Sequence, residues 1–230
     1  MKTRYFTSKM KMADLIAANH NLILVMPRLG ITLGFGEQSV AEVCRNHGLD
    51  VDFVLMVCNV YSFDDYLPSS DILHSPALSH LVPYLMVSHQ YYIKERLPHI
   101  ERHLVKVASH AGDRYGMILN KFFSDYEQEV VDHFTCEEQE VFPYLQSLLD
   151  GEKVERPLSE HFVDNHTDMV DRLTDLTQIV YKYLPGDALT EELNELVFFI
   201  LQLSSDLQKH ALLEEKILLP YMLQLERGLE

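Results

Sequence analysis

The segment His133-Phe134-Thr135-Cys136-Glu137-Glu138-Gln139-Glu140-Val141-Phe142-Pro143-Tyr144 returns 77 residues later as His210-Ala211-Leu212-Leu213-Glu214-Glu215-Lys216-Ile217-Leu218-Leu219-Pro220-Tyr221. In both copies a histidine is followed four residues on by a glutamate, then by a second glutamate, an apolar pair and Pro-Tyr. The register extends outward, with Phe122 falling on Phe199, Glu129 on Asp206, His89 on His166 and Ile93 on Val170. A repeat of this length marks a duplicated supersecondary unit, here a helical hairpin.

Four helical patterns surround the repeat. Leu81, Leu85, Ile93, Leu97, Ile100, Leu104 and Val107 form a stripe of period 3.6 that includes His89, with Pro98 expected to kink or interrupt it. A second helix is expected from about Arg114 to Leu149, a third from Leu158 to Leu184 and a fourth from Leu189 to Leu225, punctuated by Gly112, Gly151 and Pro185-Gly186. The fold class is all-α: an up-down four-helix bundle built as a duplicated hairpin and preceded by a small helical domain. That leading domain takes residues 1–66, the turn-rich stretch at 67–77 is a linker, and 78–230 is the bundle.

Composition limits what such a chain can do. No segment holds the ~18 uninterrupted apolar residues of a membrane helix, and the run Leu22 to Met26 is too short for a signal-peptide core, so a cytoplasmic location is expected. Cys44, Cys58 and Cys136 have no paired spacing, which predicts reduced, buried thiols and neither a disulfide framework nor a thiolate zinc site. Net charge is −16, yet residues 1–66 carry six Lys and Arg against seven Asp and Glu, leaving 13 against 28 for the remainder. An acidic surface of that kind repels phosphate backbones and argues against nucleic-acid partners, while it fits iron and basic protein surfaces. Phe35, Phe53 and Tyr61 leave homodimerisation through the leading domain open.

The chemistry sits on the core stripes. Residues four apart share a helix face, so His133 with Glu137, and His210 with Glu214, each direct a ring nitrogen and a carboxylate at one point. The expected inward stripes are Phe122-Tyr126-Glu129-His133-Glu137-Val141 and Phe199-Leu203-Asp206-His210-Glu214-Leu218. Burying unpaired charge there would cost several kcal/mol, which a metal ion removes. With His89 and His166 on the other two helices, four imidazoles and two carboxylates converge. Shared between two ions, six ligands leave open positions for O2 or NO, and a thiolate-free set suits iron ahead of manganese or zinc.

One turn earlier on each helix, Glu129 and Asp206 are placed to accept the second N–H of His133 and His210. Glu138 and Glu215 are expected to be solvated. His99 and His103 lie four apart without a counterpart in the second half, and are read as a surface pair.

The His133 and His210 motifs, with His89 and His166, resemble the haemerythrin-like cation-binding domain. Leu97-Pro98-His99-Ile100-Glu101 through His110-Ala111-Gly112 resembles the repair-of-iron-centres family more narrowly. So does the leading part, from Asp14-Leu15 through Met26-Pro27-Arg28-Leu29-Gly30-Ile31 to Gly36 and Ser39-Val40-Ala41-Glu42. The resemblance implies an oxo-bridged pair of irons held by His89, His133, His166, His210, Glu137 and Glu214. It further implies a role in restoring iron–sulfur clusters damaged by nitrosative or oxidative stress, with iron–sulfur proteins as clients. Haemerythrin-like domains also sense or store O2 and NO, which is the alternative.

Two departures stand out. The family's adjacent cysteines are replaced by Gly34-Phe35, and Asn165 stands where a glutamate usually precedes the histidine at 166.

Overall fold

Three prolines govern how the long helices are built. The computed structural model describes the backbone at residues 5–69, 76–152, 166–183 and 190–229, and side chains at 5–69, 78–152, 169–182 and 190–228. Every named element among these is helical; Lys11 and Ser39 form an isolated antiparallel bridge. The leading helices are α1 (Met12–Ala18), α2 (Leu22–Arg28), α3 (Val40–His47) and α4 (Val51–Ser62). They are followed by α5 (Leu81–Tyr91), α6 (Leu97–His110), α7 (Asp113–Cys136) and α8 (Phe142–Leu149). Then come α9 (His166–Tyr183), α10 (Thr190–Leu213) and α11 (Leu219–Leu229).

Between α5 and α6, α7 and α8, and α10 and α11 the chain does not break. It widens into single π turns at Tyr92–Arg96, Glu137–Val141 and Glu214–Leu218. Each is followed two residues later by a proline, Pro98, Pro143 or Pro220. A helical proline lacks the donor for its own turn and its ring crowds the carbonyl four residues back, so the hydrogen bonds ahead of it lengthen. The bonds run accordingly from the Leu97 N–H to the Tyr92 carbonyl, from Phe142 to Glu137 and from Leu219 to Glu214. Pro98 therefore neither stops nor sharply interrupts its helix; it inserts one extra residue into a turn.

The chain divides into two compact units, one of Met1–Ser88 with Leu212–Gly228 and one of His89–Ala211 with Leu229–Glu230. In the first, Ser39 and Glu42 form a reciprocal capping box at the start of α3, and the Asp50 side chain caps α4 through the Phe53 N–H at 2.8 Å. The core here holds Met12, Leu15, Met26, Val43, Val54 and Met56. Cys44 and Cys58 are buried in it, and burial pushes their thiols up to about 11 and about 12. Cys136, expected to be buried, is exposed, because its place on α7 faces outward. Phe53 and Tyr61 are buried and so are not available as a dimer face; Phe35 is half-buried.

The second unit packs four stripes: Leu97, Ile100, Leu104 and Val107; Leu119, Phe123, Tyr126, Val130 and Phe134; Met169, Leu173, Leu176 and Val180; and Leu196, Ile200, Leu203 and Leu207. Each steps by three or four residues, which keeps one face inward. The inward face of α7 thus runs through Phe123, Val130 and Phe134, one residue away from the stripe expected through Phe122 and Glu129. No helix among the described residues is long and apolar enough to cross a membrane.

Helix α6 turns back into α7 at Gly112, whose φ of 79° favours glycine. Just beyond the turn, a Cβ at Gly116 would stand 2.6 Å from the Ala108 carbonyl oxygen, so the two helices meet with no room for a side chain. Gly116→Ala is expected to destabilise the protein by about 1–3 kcal/mol in denaturant unfolding. Gly228→Ala, at a helical glycine with open space around its Cβ, should be neutral or slightly stabilising.

Candidate metal centre

The three π turns lie where the candidate ligands lie. His89 is three residues before the first, while Glu137 and Glu214 open the second and third. A π turn displaces the residues that follow it around the helix axis, and such turns gather at functional sites for that reason. Each His-x3-Glu pair therefore spans the junction from α to π geometry.

His89, Glu137 and His210 converge with buried side chains, and Glu214 follows His210 by one turn on the same continuous helix. One ligand atom from each of His89, Glu137 and His210 lies within 4.8 Å of the other two. His89 Nε2 stands 3.2 Å from His210 Nε2 and 3.3 Å from Glu137 Oε2. The other carboxylate oxygen, Glu137 Oε1, lies 3.1 Å from His133 Nε2. The two oxygens of one carboxylate thus serve two different imidazoles.

Protonation states follow from the contacts. His89 Nδ1 is 3.0 Å from Glu138 Oε1, so this nitrogen carries the proton and donates to the carboxylate. In a neutral ring the lone pair then sits on Nε2, directed at His210 and Glu137. A lone pair 3.3 Å from a carboxylate oxygen is repulsive unless a cation or a proton lies between them. The donor set, two imidazoles and two carboxylates without thiolate, fits a hard or borderline divalent ion.

Aromatic rings seal the site. The His89 ring stacks on Phe134 with centroids 4.0 Å apart at 10°, and on Phe142 at 5.7 Å and 15°. Tyr92 meets His210 edge-on at 5.5 Å. These contacts hold the imidazoles in place and keep water from competing for the ligand positions.

The remaining expected residues are distributed differently. His133 is half-buried and touches Glu137. His166 begins α9, and its side chain lies outside the described residues. Glu129 faces outward and forms an ion pair with Arg172 of α9, whose guanidinium also covers Phe122, so it does not serve an imidazole as a stripe through position 129 would require. Asp206 is buried and accepts a hydrogen bond from the Tyr92 hydroxyl at 3.0 Å.

Glu138, expected to be solvated, is instead the carboxylate that orients His89. The π turn, invisible to a 3.6-residue count, swings it round; Pro143 was the available signal. His99 and His103 are half-buried, their rings packed against Phe199 at 4.4 and 5.1 Å, and burial foremost holds the His99 imidazole below its ordinary range.

Residues 80–222 match the family model of the hemerythrin HHE cation binding domain. Over 188 residues the chain is 21% identical to the iron-sulfur cluster repair protein ScdA of Staphylococcus haemolyticus (strain JCSC1435), a span that covers 80% of this chain and 83% of that protein.

Removing a carboxylate that orients a ligand histidine ordinarily costs 10–100-fold in metal affinity. Glu138→Ala is expected to weaken metal binding by about that factor in competition with a chelator, with helical circular dichroism unchanged. Glu140→Ala, on the exposed side of the same turn, should leave affinity within about twofold.

Proposed function

Because this chain belongs to the hemerythrin HHE cation-binding family, we propose that it holds two iron ions between His89, His133, Glu137, His166, His210 and Glu214 and serves in restoring damaged iron–sulfur clusters. The observation that carries the dinuclear reading is Glu137, whose Oε2 faces His89 at 3.3 Å while its Oε1 faces His133 at 3.1 Å. A carboxylate placed in that way would hold one ion at each oxygen, which is the use that bundle di-iron sites make of such a glutamate. Both repeats then contribute equally, each with two histidines and one glutamate.

Iron bound there supplies open coordination positions and one-electron chemistry toward O2, NO or peroxide. The chain's own residues set the conditions for it. Glu138 accepts a hydrogen bond from the Nδ1–H of His89 and so keeps the ring's lone pair on Nε2. Phe134 and Phe142 clamp the ring and exclude water. The acidic excess beyond residue 66 favours the approach of ferrous iron.

The similarity to an iron-sulfur cluster repair protein over 80% of the chain supports repair of clusters lost to nitrosative or oxidative stress. We propose a cytoplasmic site of action, with iron–sulfur proteins as clients and the 1–66 region as a leading domain.

One observation favours a second reading, sensing or storage of O2 or NO. The leading region has no adjacent cysteines, and burial holds the thiols of Cys44 and Cys58 well above the ordinary range, so neither replaces a reactive pair. Iron handling through thiols in that region is closed, and the bundle must act alone.

Anaerobically purified protein given ferrous iron should bind about two irons per chain and develop oxo-bridge absorption in air. Glu137→Ala should lose at least one of the two. Zinc alone, or no metal after reconstitution, would contradict the reading. Binding requires neutral imidazoles, so retention should fall as pH drops below about 6.5. Stable oxidation in air together with slow recovery of cluster enzymes in a deletion strain would favour repair, and reversible spectral change with normal recovery would favour sensing.

A further inference from the structure

Two buried tyrosines in the second unit differ in one respect. Tyr126 lies on α7 in the core with its hydroxyl lacking a hydrogen-bond partner among the described residues. Tyr92 is 0% exposed, and its hydroxyl donates to Asp206 Oδ1 at 3.0 Å across a sequence separation of 114 residues. The Tyr92 ring stands edge-on to His210 with centroids 5.5 Å apart and lies over Phe134 at 5.8 Å. Its other neighbour is Tyr91, at 5.6 Å, which is only half-buried.

This arrangement has a chemical consequence. A buried phenol gives up an electron readily only when its proton leaves at the same time, because the phenol radical cation is too acidic and too costly to hold in an apolar core. Asp206 is the proton acceptor within hydrogen-bond reach of Tyr92. Tyr126 has no such acceptor among the described residues. His210 puts Tyr92 in contact with a candidate ligand on one side, and Tyr91 leads toward the surface on the other.

Resting on the iron reading above, we propose that Tyr92 is a redox-active tyrosine that supplies an electron to peroxide reduced at the centre, its phenolic proton passing to Asp206. One peroxide takes up two electrons and two protons and leaves as two waters. In the half-oxidised centre one electron comes from the remaining ferrous ion, which becomes ferric, and the other from Tyr92, which becomes a neutral tyrosyl radical. One proton derives from the phenol by way of Asp206 and the other from solvent. Two ferrous ions together supply both electrons, but a half-oxidised pair has only one to give, and a single ferrous ion acting alone splits peroxide into hydroxide and a hydroxyl radical. Tyr91 carries the resulting oxidising equivalent outward, where a thiol reductant returns the electron.

The test uses the full chain loaded with ferrous iron and oxidised by one electron per pair, then mixed with hydrogen peroxide, frozen and examined by electron paramagnetic resonance, with iron content measured on every sample. The wild type is expected to show an organic radical whose hyperfine structure collapses when tyrosine is ring-deuterated. Tyr92→Phe should retain its iron, lose this signal and yield more spin-trapped hydroxyl radical, while Tyr126→Phe should keep the signal. A radical that persists in Tyr92→Phe, or iron-loaded wild type that forms none, would overturn the assignment and leave the iron reading standing. Failure of the wild type to take up iron would overturn both.

Discussion

Glu137 is the constraint on which the rest of the molecule turns. A carboxylate within a core of phenylalanine and tyrosine is tolerated only with positive charge or protons on its oxygens, and here both oxygens face imidazole nitrogens at 3.1 and 3.3 Å. One of those nitrogens, Nε2 of His89, is left with the lone pair because the proton sits on Nδ1, where it is donated to Glu138. Such a cluster holds together around a cation, which links the energetics of the bundle to its chemistry. Stacking of His89 on Phe134 and Phe142 adds rigidity to the arrangement.

The duplicated hairpin explains how one helix pattern supplies both halves of such a site. The proline of each Phe-Pro-Tyr or Leu-Pro-Tyr ending forces a π turn five residues long, and in both copies the glutamate proposed as a ligand is its first residue. The proline is thus more than a punctuation mark. By widening the turn it directs the glutamate and its successor to places that a regular helix could not give to both. Pro98 produces a third π turn without a repeat partner, and that turn begins at Tyr92, the residue hydrogen-bonded to Asp206.

Much of this was legible in the chain. The 77-residue repeat, the His-x3-Glu pairs and the four apolar stripes follow from the sequence pattern, and among the described residues the helices lie where that pattern puts them, the expected start of the third helix at Leu158 lying outside the described residues. The inward face of α7 was misplaced by one residue because Phe122 and Phe123 are both aromatic and only packing decides between them. That single step explains Glu129, which reaches outward to Arg172. Glu138 was missed because a period of 3.6 contains no π turn, and the Tyr92–Asp206 bond because no local pattern joins residues so far apart. The half-burial of His99 and His103 depends on Phe199, again a partner from a distant helix.

The most direct test of the central claim is crystallographic: anomalous diffraction at the iron edge from anaerobically loaded protein. The account predicts two peaks separated by a short bridging distance, with the Glu137 carboxylate between them and His89 and His133 on different ions. A single peak, or iron bound away from Glu137, would contradict it.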